Sequence, residues 1–338
     1  MPRLVQIQDG NNRRAAVVEE PRVRLLKDFD SVFALANAAI AGGGGLAALI
    51  QKHLGDQTLD YDSIYNGNSP WRLMVPLDHP DDPSRTLVTG TGLTHLGSAK
   101  DRQAMHIKVQ PNAQETMTDS MKMFRWGVEH GCPEPGKIGI APEWFYKGGG
   151  AVLRAANEPL DVPFYADDGG EEAEIAGLYI IGPDGIPRRI GMTQGNEFSD
   201  HKFEKRNYLN LAGSKLRTCS IGPELVTDPN FNSVTGETRI ERGGKSIWSK
   251  EIHTGEAEMC HSLQNIEHHH FKFENHRRPG DVHIHYYGAH SLSFGDGFEL
   301  EDGDMMVVEY KGYGRPLKNP IRIAEKTAGG LVAAISLA

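Results

Sequence analysis

The run Glu172-Ala173-Glu174-Ile175-Ala176-Gly177-Leu178-Tyr179-Ile180-Ile181 ends in Gly182-Pro183-Asp184-Gly185, and a second strand-like stretch from Ile186 to Gly195 leads into Asn196-Glu197. Turn residues of this kind between two such stretches read as an antiparallel hairpin, which commits the middle of the chain to a sheet. Side chains alternate across a strand, so Glu172 and Glu174 point to one face. The returning strand delivers Glu197 beside them. Two neighbouring carboxylates repel, and one is driven to hold a proton unless a cation lies between them. Three carboxylates on one face make an all-oxygen set suited to a hard ion such as Mg2+. Taken alone, the same Glu-x-Glu pattern also fits a solvated strand edge.

The rest of the composition narrows the choices. A chain of 338 residues has room for a main domain with an appendage, and 39 glycines with 19 prolines favour a turn-rich, β-rich fold over a helical bundle. The net charge of -9 gives no attraction to phosphate backbones, so no nucleic-acid partner is expected. The segment Ala34 to Ile50 is interrupted by Asn37 and by Gly42-Gly43-Gly44-Gly45, so it predicts no bilayer span, and the N-terminus shows no basic-then-apolar signal pattern. A cytoplasmic location without membrane association is the expectation. Cys132, Cys219 and Cys260 are too scattered for a disulfide framework or a Cys-x-x-Cys zinc site. The histidines concentrate between His268 and His290, and the consecutive His268-His269-His270 on a helix face different ways and cannot all grip one ion.

In chain order, Leu4 to Ile7 and Arg14 to Val18 predict a hairpin about Asp9-Gly10-Asn11-Asn12. A helix from Asp30-Ser31, with Val32, Leu35, Ala36 and Ala39 at helical spacing, should stop at the four glycines. Those glycines follow no strand and precede no Lys-Ser/Thr, so they mark a helix break rather than a phosphate cradle. Strands are expected at Trp71 to Leu77 and Thr86 to Gly90. Between Thr94 and His106, His95, Ser98, Lys100, Asp101, Arg102 and His106 read as a polar loop over a site. A helix from about Asn112 should bury Met117, Met121, Phe124 and Val128. Lys147, behind Trp144-Phe145-Tyr146, is either a snorkelling surface residue or a buried cation facing an anion. Further on, Ser199 to Glu204 predicts a helical turn, Glu237 to Arg242 and Ser246 to Ile252 a hairpin, and Met305 to Tyr310 a strand.

From Thr86 to about residue 325 the order of motifs resembles the fumarylacetoacetate hydrolase superfamily: Glu172-x-Glu174, Pro183-Asp184-Gly185, Gly195-Asn196-Glu197, Gly213-Ser214-Lys215, Ile221-Gly222-Pro223, Pro279-Gly280-Asp281-Val282 and Leu300-x-x-Gly303-Asp304. The resemblance implies a β-rich α+β fold. Its catalytic domain, residues 81–338, would be a mixed, barrel-like β-roll of fumarylacetoacetate hydrolase type, preceded by a small N-terminal α+β domain over 1–80. It further implies one Mg2+ or Mn2+ held by Glu172, Glu174 and Glu197, with Lys215 facing a bound 2-oxo acid. Two positions depart from the pattern. Glu197 stands where aspartate is usual, which moves the carboxylate outward by about 1.5 Å, one carbon–carbon bond. His201 stands where an arginine usually meets the substrate carboxylate, so Lys147 or Lys100 would supply that charge. His95, His201 and Glu204 are the acid or base candidates beside Lys215, and Ser199, Ser262 and His290 the further substrate contacts. Tyr146-Lys147-Gly148, Cys219-Ser220 before Ile221-Gly222-Pro223, and Met259 to Leu263 resemble the sugar-acid branch, the 2-keto-3-deoxy-pentonate dehydratases. That implies a small 2-oxo sugar acid as substrate and a homodimer or homotetramer. Hydrolysis of a 2,4-dioxo acid, or binding of a sugar acid without catalysis, are the alternatives.

Overall fold

The computed structural model describes residues 1–100, 118–326 and 329–337. The N-terminal strands are β1 (Arg3–Asp9), β2 (Asn12–Glu19), β3 (Arg22–Leu26), β4 (Leu54–Asp60) and β5 (Arg72–Leu73). Then come β6 (Thr86–Gly92), β7 (Glu143–Gly149), β8 (Leu153–Arg154), β9 (Leu160–Val162), β10 (Ala173–Ile181), β11 (Pro187–Asn196), β12 (Cys219–Ile221) and β13 (Leu225–Val226). The remainder are β14 (Val234–Arg242), β15 (Lys245–Thr254), β16 (Val282–Tyr286), β17 (Met305–Tyr310) and β18 (Leu317–Ile323). This is the β-rich α+β fold expected from the sequence.

The main sheet runs β4-β3-β2-β1-β13-β11-β10-β16-β6-β7, and a second sheet runs β15-β14-β17-β18-β9. The N-terminal hairpin pairs Leu4 with Val17 and Asp9 with Asn12, and β1 joins the same sheet as the central hairpin through Arg3 opposite Val226. The helix Val32–Gly42 begins where Ser31 Oγ accepts the Ala34 N–H at 3.1 Å and ends at Gly43, whose φ of +63° is readily adopted only without a Cβ. Among the described residues no single helix is long and apolar enough to cross a membrane.

One expected pattern shifts. The helix nearest the predicted start at Asn112 is Asp119–His130, capped by Thr118, and it buries Ser120, Phe124 and Gly127, whereas Val128 is 62% exposed. Its turn docks against residues 260–261: a Cβ on Gly127 would lie 2.7 Å from both Cys260 Sγ and His261 Nε2. Close backbone approach at a glycine has rotated the buried face away from the apolar side chains that sequence periodicity favours. Asn112, Glu115 and Met117 lie outside the described residues.

The central hairpin carries the architecture of the site. On β10, Ala176, Leu178 and Ile180 face one apolar core with Ile221, Leu225 and Ile284, while Ala173 and Ile175 face another. Glu174 shares the first face, continuing its apolar row into a carboxylate. The ladder puts Glu174 opposite Gly195, and beyond its last pair the Glu197 N–H donates to the Glu172 carbonyl at 2.9 Å.

Candidate metal centre

Glu172, Glu174 and Glu197 meet as expected from strand alternation and hairpin register. One carboxylate oxygen of each lies within 4.8 Å of the others, and all three side chains are buried. Burial first, then the charges of Glu197 and Glu172, pushes the Glu174 carboxyl well above the ordinary carboxylate range. Burial and the Glu172 charge likewise raise Glu197, against the pull of Lys147 and Lys215.

Two buried ammonium groups face these acids. Lys147 occupies the inward face of edge strand β7 with Glu143 and Phe145, while Trp144 and Tyr146 point outward. Its Nζ lies 2.5 Å from Glu197 Oε1 and donates to the carbonyls of Glu197 and Phe198 at 2.6 and 2.7 Å. The side chain is therefore a buried cation facing an anion, not a snorkelling one. Lys215 ends the short helix Leu211–Lys215 and pairs with Glu172 Oε1 and with Glu197 Oε2. Its Nζ also donates to Ser199 Oγ at 2.9 Å and lies 4.6 Å from the centre of the Phe145 ring. Ser199 Oγ lies 3.1 and 3.0 Å from the two oxygens of Glu197.

His201 opens the helix His201–Arg206, capped by Asp200, and its Nε2 lies 3.1 Å from Glu172 Oε1. Burial works to lower its pKa, but the bond and charge of Glu172 outweigh burial and hold it raised. Glu204 is buried one turn further along. His95 is fully buried between Thr94 Oγ1 at 2.8 Å and Thr254 Oγ1 at 3.1 Å, and burial drives its pKa down to about 3. The His290 ring centre lies 6.1 Å from that of His95. Ser262 caps the helix Leu263–Phe271 by accepting the Asn265 N–H at 3.2 Å. Lys100 is exposed, and Asp101, Arg102 and His106 lie outside the described residues.

Further participants had no role assigned to them from sequence. Gly288 donates its N–H to Glu174 Oε2 at 2.6 Å. Its φ is +103°, and a Cβ there would fall 1.9 Å from Thr94 Oγ1, so the bond to Glu174 needs glycine at this position. Asn196 Oδ1 accepts the Glu172 N–H at 3.1 Å and the Phe198 N–H at 3.2 Å, fixing the turn from the pair to the third acid. Glu171 accepts from both the N–H and the hydroxyl of Ser293.

The donor set fits a divalent cation. Three buried carboxylates converge where the protein itself supplies two ammonium groups, and the proton affinity of Glu174 and Glu197, raised first by burial and then by their crowding, is what a bound cation would offset.

No protein-family model matches the chain and no curated protein matches its sequence. Solved structures do match its shape. A 2-keto-3-deoxy-D-arabinonate dehydratase complexed with magnesium and 2,5-dioxopentanoate superposes with a TM-score of 0.70 at 18% identity, over 96% of this chain and 100% of that one. The fold is of the fumarylacetoacetate hydrolase type. The same fold is present in a 5-carboxymethyl-2-hydroxymuconate delta-isomerase from Mycobacterium smegmatis, with a TM-score of 0.57, 17% identity and coverage of 96% and 100%. A 2-hydroxyhepta-2,4-diene-1,7-dioate isomerase from Mycobacterium marinum matches at 0.56, 17%, 96% and 99%. At such identities the shared property is this fold, and the chemistry rests on the residues above.

Proposed function

We propose that the chain is a metal-dependent hydro-lyase that removes water from a 2-keto-3-deoxy-pentonate, of L-arabonate or D-xylonate origin, to give 2,5-dioxopentanoate. The observation that carries this reading is the buried Glu172, Glu174 and Glu197 set flanked by Lys147 and Lys215. It stands in a fold shared with a dehydratase whose structure holds magnesium and 2,5-dioxopentanoate. Glu172, Glu174 and Glu197 would hold Mg2+ or Mn2+, which supplies Lewis-acid polarisation of a 2-oxo group and lowers the barrier to removing the neighbouring C3 proton. Lys215 would hold the negative charge that gathers on the 2-oxygen as that proton leaves, and its bonds to Glu197 and Ser199 support that role by limiting its reorganisation. Lys147 keeps Glu197 and the backbone behind it in place. His95, His201 and Glu204 are the groups from which the base at C3 and the acid for the departing C4 hydroxyl are drawn. Division into domains near residue 80, a cytoplasmic location and assembly as a homodimer or homotetramer go with this proposal.

The product decides. With Mg2+ and both C4 epimers of 2-keto-3-deoxy-pentonate, proton NMR should show 2,5-dioxopentanoate from one or both. Pyruvate released from a 2,4-dioxo acid, with no reaction of either pentonate, would overturn the dehydratase reading in favour of C–C hydrolysis.

A further inference from the structure

Residues 288–293 are tied to the carboxylate strand at both ends. The Gly288 N–H is bound to Glu174, and the Ser293 N–H and hydroxyl to Glu171, so the segment spans the stretch that carries Glu172 and Glu174. Just beyond it, the Phe294 ring centre lies 5.3 Å from that of His201, itself bonded to Glu172. The middle of this arch presents two polar atoms out of solvent that have no hydrogen-bond partner among the described residues: Ser291 Oγ, on a side chain only 3% exposed, and His290 Nδ1. The ends of the loop are fixed, while between them a hydroxyl and a ring nitrogen are buried without a partner among the described residues and so are free to bond a ligand.

Resting on the reading of the site as one for a metal-held 2-oxo acid, we propose that Ser291 and His290 read hydroxyl groups on the tail of that acid. The head would be fixed by the metal and Lys215, and the tail selected by the arch. A site built to hydrogen-bond a hydroxyl discriminates strongly against the analogue lacking it, because its own buried groups are then left unpaired. Ser291 and His290 are on this account specificity determinants, and the ligand class is a hydroxylated rather than an alkyl-chain 2-oxo acid.

The test uses the full chain loaded with Mg2+ and three probes measured by calorimetry: oxalate for the head, 2-oxopentanoate for an apolar tail, and 5-hydroxy-2-oxopentanoate, which has no C4 hydroxyl to lose. The parent should prefer the hydroxylated probe over 2-oxopentanoate by about tenfold or more. In Ser291→Ala or His290→Phe that preference should fall toward one, with oxalate binding retained as evidence that head site and fold are intact. Equal affinity of the parent for the two longer probes, or an unchanged preference in both variants, would overturn the inference. Failure of the parent to bind oxalate would overturn it together with the metal and 2-oxo acid reading beneath. A hydroxyl preference in a protein that does not dehydrate pentonates would support the inference and sink the dehydratase reading alone.

Discussion

Two buried polar clusters lie on opposite faces of the sheet about β10, and they are solved in opposite ways. On one face of β10 sit Glu172 and Glu174 with Glu197, Lys147 and Lys215. On the other face, His283 and His285 of β16 lie opposite Tyr179 and Gly177 of β10 and pack with His270 and His276 from beyond the strand. Neutral imidazole has both a donor and an acceptor nitrogen, so these rings can satisfy one another. Trp144 Nε1 donates to His270 Nδ1 at 3.2 Å, which leaves His270 Nε2 to donate to His283 Nδ1 at 2.9 Å. His285 is held between the hydroxyls of Thr89 and Thr91, each at 2.8 Å. Carboxylates only accept, and gathering three of them is favourable only with a cation present. Among the described residues the imidazole cluster leaves only His283 Nε2 without a partner and carries no net charge while its rings are neutral; the carboxylate cluster is built for a cation.

That difference is broken most forcefully at Glu174. Glu174→Gln keeps an oxygen for the Gly288 N–H but removes a ligand, so Mg2+ binding should be lost in calorimetry and turnover should fall by about 10^3-fold or more. The same substitution removes a buried charge crowded by Glu197 and Glu172, so the metal-free variant should be more stable than the parent by about 1 kcal/mol in urea unfolding. A variant that kept both Mg2+ and parental turnover would refute the metal-centre reading.

The next largest effect falls on Lys215. Lys215→Ala leaves all three carboxylates, so Mg2+ should still bind, while turnover drops by about 10^2 to 10^3 for loss of one preplaced charge in the site. Without metal this variant should lose about 3 kcal/mol, because Glu172 and Glu197 are left buried with less compensation, and saturating Mg2+ should recover much of it. Glu174→Gln and Lys215→Ala thus shift the stability of the metal-free protein in opposite directions. Equal signs would remove the charge imbalance from the account.

How much of this was legible beforehand follows from the range over which each signal acts. Glu172 and Glu174 share a face because a strand alternates, and Glu197 joins them because a turn sets hairpin register; both rules act within about two dozen residues. The direction of His268, His269 and His270 was equally local, and of these three histidines in the helix Leu263–Phe271 only His270 is buried. Lys147 follows an aromatic run, but its partner arrives from beyond another strand, so the choice between snorkelling and pairing stays open in the sequence. Glu171 with Ser293 and Glu174 with Gly288 join segments more than a hundred residues apart, and no periodicity connects them. The buried face of the helix Asp119–His130 was misjudged because apolar spacing cannot register a glycine used for close approach.

The smallest expected effect is on the imidazole side and is one of pH. Burial drives the pKa of His283 and of His285 down to about 3, and burial with its neighbouring imidazoles lowers His270 as well. The unfolded chain takes up these protons near pH 6.5, whereas the folded cluster refuses them until far lower. A base whose folded pKa is depressed contributes stability that is present above the unfolded value and lost as pH falls toward the folded one. Between pH 6.5 and pH 5 each of His283 and His285 should therefore withdraw about 2 kcal/mol. Urea unfolding in saturating Mg2+, which keeps the carboxylates ionised, should show this decline. His283→Phe removes the acceptor for His270 Nε2 and should cost about 1 to 2 kcal/mol at pH 7. It also removes one group that resists protonation, so the variant should lose less than the parent on going to pH 5, and the two stability curves should converge. Parallel curves would mean that His283 takes up its proton as readily in the fold as in the unfolded chain, and the contrast between a neutral cluster and a charged one awaiting its ion would fail on its neutral side.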